Sequence, residues 1–129
     1  MTPSAHDPAS ARRLAASLLA DVVKVLSGTP PSGSSRARLR AVRAWYRDAV
    51  VDLLWLHSPS AAVWTEAAGL DVDLFRSECE RRGLIRDPWT VVPVPMRTKI
   101  GDRPPVFDDL EKERRLLRHL ESLDPAEAA

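Results

Sequence analysis

The chain is short of the residues that carry most recognisable chemistry. It has a single cysteine, Cys79, so no intramolecular disulfide can form. Its three histidines, His6, His57 and His119, lie in three separate segments, and no cluster has metal-ligand spacing. It has no glycine-rich phosphate loop, and Glu66 and Glu80 form no recognisable acid/base pair. Cys79 falls on the inward side of a predicted helix, where a thiol is inert packing. Nothing here predicts an enzyme, a metal or a cofactor.

An excess of one charge is missing too. The 19 basic and 18 acidic residues leave a net charge of +1. There is no global basic field, so nucleic-acid binding would need a local patch. The apolar run over residues 14–26 contains Asp21 and Lys24 and is too short to span a bilayer, which excludes a membrane partner. The N-terminus lacks the pattern of a secretory signal, and the expectation is a cytoplasmic protein.

What is present fits one domain with tails: 129 residues, 44% of them apolar, which excludes wholesale disorder. Eleven prolines forbid an uninterrupted helical bundle. The predicted fold class is all-α: a small helical domain with a central helix-turn-helix, a proline-rich extended arm and a C-terminal amphipathic helix. The expected divisions are 1–34, an N-terminal helix and flexible linker; 35–85, the core; and 86–129, the arm and last helix.

The first helix is predicted over residues 7–26, capped by Asp7, with Pro8 at its first position and Ala11, Leu14, Leu18, Val22 and Val25 on one face. The second spans 35–56, with Leu39, Val42, Tyr46, Ala49, Val50 and Leu53 as its apolar stripe. On the same helix Arg36, Arg40, Arg43 and Arg47 recur at four, three and four residues, which aligns their guanidiniums along one side. No carboxylate interrupts that row; Asp48 and Asp52 come only after it. The row is either a solvated face or a line of phosphate contacts.

A short helix then runs from Ser58 or Ser60 to about Ala68. Gly69 stops it, and Asp71 or Asp73 caps another that closes at Gly83. Trp64, Ala68, Leu70, Phe75 and Cys79 are expected to face inward, with Leu70 pinning the turn. Residues 86–105 hold five prolines, a pattern read as neither helix nor central strand. Leu110, Leu116, Leu117, Leu120 and Leu123 form the apolar side of the last helix. This helix must bury its leucines against its own domain or against a second copy, and an extended arm of about 20 residues reaches either; a homo-oligomer, most simply a dimer, is the favoured expectation.

The stretches ARLRAVRAWYRD and WTEAAGLDVDLFRSECERRGL resemble a group of small uncharacterised bacteriophage and prophage proteins of helix-turn-helix type. Ala41, Arg43 and Trp45 match one element of that group, and Glu66, Gly69, Leu70, Asp71 and Phe75 match another. The resemblance covers residues 36–84. Thr65 stands where the group has Cys, and Glu78 stands near a position that is apolar in the general pattern.

The resemblance implies a phage-type, DNA-binding regulatory or packaging protein whose partner is double-stranded DNA. In that reading the helix after Asp71 enters the major groove, with Arg76, Ser77 and Arg81 outward. Arg36, Arg40, Arg43 and Arg47 grip the backbone. Asp71 and Asp73 oppose this, because they put negative charge at the end that meets DNA first. The alternative is a protein-interaction module that binds and modulates a host or phage protein without nucleic acid.

Overall fold

The helix predicted after the Ser34–Ser35 pair is the spine of the fold. In the computed structural model, which describes residues 8–33 and 35–123, the elements are α1 (Pro8–Ser27), α2 (Arg36–Leu56), α3 (Pro59–Ala67), α4 (Val72–Arg81), α5 (Val94–Ile100) and α6 (Leu110–Ser122). A 3-10 turn at Pro88–Val91 lies between α4 and α5, and no strand occurs among the described residues. None of these helices is long and apolar enough to cross a membrane. Asp7, the expected first cap, and the terminal residues 124–129 lie outside the described residues.

The Ser35 hydroxyl accepts the Arg38 amide at 3.2 Å and so caps α2. Of the predicted stripe, Val42, Tyr46, Ala49, Val50 and Leu53 are buried and Leu39 is half-buried. The core around this stripe draws on α1, α4, the 3-10 turn, α5 and α6. Val22 and Leu26 come from α1, Cys79 from α4, Trp89 from the 3-10 turn, Met96 and Ile100 from α5, and Leu116, Leu117 and Leu120 from α6. Trp89 meets Tyr46 edge to face with centroids 5.3 Å apart, a geometry that adds about 0.5–1.5 kcal/mol beyond the area buried.

The α3–α4 corner forms where the glycine and aspartate place it. Gly69 has φ 82°. Its amide bonds Glu66 O, and the Leu70 amide bonds Thr65 O, both at 2.9 Å. These two bonds satisfy carbonyls that the helix end would otherwise leave open. Gly83, at φ 71°, ends α4 in the same way, with its own amide on Glu80 O and the Leu84 amide on Cys79 O. Asp71 caps α4 by accepting the Asp73 and Leu74 amides at 2.8 and 3.1 Å. Leu70 does not pin the turn: it is 51% exposed, and the inward place belongs to Thr65, which is fully buried. The Thr65 hydroxyl donates to Ala61 O at 2.8 Å, so its burial leaves no unpaired group.

Three other expectations need correction. The 86–105 segment is not an extended arm. It winds through the 3-10 turn and α5, with Pro88 and Pro95 in the first turns of those elements, where an amide has no helical partner to lose. Gly101, at φ 86°, then ends α5. Secondly, α6 is not held away from the core: Leu116, Leu117 and Leu120 lie in it, while Leu110 and Leu123 stay exposed. Finally, the buried side of α1 is rotated from the predicted face: Val22 is buried as expected and Leu18 and Val25 are half-buried, but Ala15, Leu19 and Leu26 complete the buried side, while Ala11 is exposed and Leu14 is 63% exposed. Apolar residues surround that helix, and the position of its neighbours selects the buried face.

Candidate nucleic-acid interface

The arginine row of α2 runs beside the buried stripe, on the neighbouring side of the helix. Arg36, Arg40, Arg43 and Arg47 are all exposed. Arg36 and Arg40 have no hydrogen bond or ion pair among the described residues. Arg47 reaches Asp48 at only 3.8 Å, with both side chains mostly exposed, a pair worth about 0–1 kcal/mol. Arg43 donates weakly to the Ile100 carbonyl at 3.5 Å, which turns it toward α5. The first turn of α2 holds no acidic residue although Arg36 and Arg38 lie in it. Cations there oppose the helix dipole at about 0.3–1 kcal/mol each, a cost without local compensation.

Three of the four converge. Arg40, Arg43 and Arg47 line a cleft of about 300 Å³ together with Ala44 and Tyr46 on one side and Pro104, Pro105 and Val106 on the other. The far wall is held by a buried pair of contacts that composition alone does not reveal. Asp87 accepts Arg103 at 2.7 Å, and Glu113 accepts the Val106 amide at 2.8 Å. Both carboxylates are 5% exposed. Tyr46 is fully buried, and its hydroxyl has no hydrogen-bond partner. Burial and the Asp87 and Glu113 charges push that phenol upward, against the opposing effect of Arg103, so it stays neutral.

On α4 the predicted outward arginines are engaged elsewhere. Arg76 turns back to the end of α2, where its Nε donates to Leu56 O at 2.8 Å and its Nη2 to Ser58 O at 3.2 Å. It serves the open carbonyls of that helix end and is not available to a base edge. Arg81 donates to Glu78 through Nε at 2.9 Å, and Arg82 donates to the same carboxylate at 2.9 Å. Those two guanidiniums hold Glu78 down at about 2. Ser77 is exposed as predicted. So are Asp71, Asp73, Leu74 and Glu80, and the outer side of α4 is mixed in charge rather than basic.

Two further arrangements arise only in three dimensions. His57 and His119, 5.3 Å apart between ring centroids, meet edge to face where α2 ends against α6. The described residues contain no group of three or more potential metal ligands. Cys79 is buried and its thiol is pushed upward by that burial, which removes it as a nucleophile. No protein-family model, curated protein or solved structure matches the chain.

Proposed function

We propose that this protein binds double-stranded DNA chiefly through phosphate contacts made by α2, in a phage-type regulatory or packaging role. One observation carries the reading: Arg36, Arg40, Arg43 and Arg47 share one exposed side of a rigid core helix and are almost unneutralised. Phosphate contacts position a protein on a duplex without reading its sequence. With Arg76 engaged at the end of α2 and Asp71 and Asp73 at the tip of α4, α4 adds little base readout. Binding is therefore expected to be weakly sequence-dependent and strongly salt-dependent. In mobility shifts on random duplex across a salt series, Arg40→Ala with Arg43→Ala flattens the salt slope by about two units. Thermal stability changes by no more than about 0.5 kcal/mol. A double variant with unaltered affinity would remove the basis for this reading.

A second reading has its own observation. Leu14, Val63, Leu70 and Leu74 are 51–73% exposed on α1, α3 and the α3–α4 corner. Large apolar side chains left in water on neighbouring elements suit a protein partner, either a host or phage protein or a second copy of the chain. That contact would persist at salt concentrations that release DNA.

A further inference from the structure

We propose that the cleft between α2 and residues 104–106 is a seat for a phosphoryl group, and that it is the anchoring point of the DNA contact. The proposal rests on the polyanion reading of α2 and narrows it from a row of four arginines to three. Arg40, Arg43 and Arg47 line the cleft and Arg36 does not. No acidic side chain lines it, so a bound anion meets three cations without a local competitor.

The two walls differ in a way that suits this ligand. Pro104 and Pro105 have no amide to donate, and they leave recognition to the guanidiniums opposite. Arg43 is steered by the Ile100 carbonyl, a single long bond of 3.5 Å that leaves its other donors free. Tyr46 lines the same cleft and carries a buried hydroxyl without a partner. Tyr46 is fully buried, so it backs the cleft from inside and its hydroxyl does not reach a bound anion. The wall itself is fixed by the Asp87–Arg103 pair and by Glu113 on the Val106 amide, so the seat exists before the ligand arrives.

The test uses the full chain, a short random duplex and pyrophosphate, each titrated against wild type and against Arg36→Gln, Arg43→Gln, Arg47→Gln and Tyr46→Phe. Arg43→Gln and Arg47→Gln are expected each to weaken both ligands about tenfold and to lower the duplex salt slope by about one unit; Arg36→Gln, outside the cleft, is expected to lower the duplex salt slope as well but to leave pyrophosphate within about twofold. Tyr46→Phe checks the fold behind the cleft and is expected not to lower the melting temperature, because the hydroxyl it removes has no internal bond to lose. If pyrophosphate binds with this pattern and the duplex does not bind, the seat stands and the DNA reading falls. If the duplex binds but pyrophosphate does not, or Arg36→Gln weakens pyrophosphate as much as the cleft variants do, the seat falls and the DNA reading stands. If neither ligand binds, both fall.

Discussion

α2 and α4 both carry arginines at helical spacing, and the fold treats the two sets in opposite ways. On α2 the guanidiniums face water, with one long contact to a carbonyl and one loose ion pair. On α4 Arg76 is bound to two carbonyls at the end of α2, and Arg81 shares Glu78 with Arg82. Spacing assigns a side chain to a face of its helix. It does not say what that face meets. The α4 face that looks basic in sequence abuts an exposed helix end, and helix ends recruit guanidiniums. Of the α2 row only Arg43 meets such an end, through one long bond to Ile100 O at the close of α5, so most of the row's charge stays available.

Arg103 is the extreme of the engaged class and should give the largest effect. Asp87 is 5% exposed, and among the described residues its carboxylate accepts the Arg103 guanidinium and the Trp89 amide. Arg103→Met leaves a buried carboxylate with a single donor. Removing one partner of a buried pair costs about 3–5 kcal/mol, a large part of a small domain's stability. Urea unfolding should show a fall of about 3 kcal/mol. A loss below about 1 kcal/mol would mean that the 86–105 segment is held by its apolar contacts alone.

Next is the direct comparison within α4. Arg76→Leu keeps much of the stem but removes bonds to Leu56 O and Ser58 O, at about 1.5–3 kcal/mol for charged donors. Arg81→Leu removes one of two cations from an exposed carboxylate and should stay within about 0.5 kcal/mol. Equal midpoints for the two variants in urea would contradict the assignment of Arg76 to the α2–α3 corner.

These contrasts also mark what was legible in the sequence. The α2 stripe, a cap for α2 at Ser34 or Ser35, a cap for α4 at Asp71 or Asp73 and the glycine stops at Gly69 and Gly83 follow from rules acting within a few residues; the fold has them all, and Ser35 and Asp71 are the residues that cap. The proline segment was misread because composition does not distinguish a proline that breaks a helix from one at its first turn. Pro88 and Pro95 are of the second kind. The α1 face was misplaced because Leu14 and Leu18 compete with Ala15 and Leu19 at the same spacing, and the neighbouring helices decide between them. Of the proposed interface, the α2 row was visible. The wall at Pro104 to Val106, the unpaired Tyr46 hydroxyl and the diversion of Arg76 depend on contacts across the fold.

The smallest effect expected here concerns the other end of α2, where the basic row gives way to Asp48 and Asp52. Asp52 is half-buried beside Asp48 and Asp21, and its pKa rises to about 6, first through burial and then through those two charges. A carboxyl with a raised folded-state pKa contributes most to stability below its unfolded value, 3.8. The contribution falls as pH rises toward the folded value, where the unfolded chain ionises first, and above about 6 it is gone. Partial exposure reduces the effect to about 1 kcal/mol. Asp52→Asn removes the ionisation and should raise stability at pH 7 by about that amount, with little change at pH 4. Glu78 acts in the opposite sense and at lower pH, since its held-down carboxyl loses its contribution only as pH falls toward about 2. The difference between wild type and Asp52→Asn cancels Glu78 and every other shared group, so urea midpoints at pH 4, 5, 6 and 7 isolate Asp52. A difference that is flat across that range would show that this end of α2 is as open to water as its arginine face.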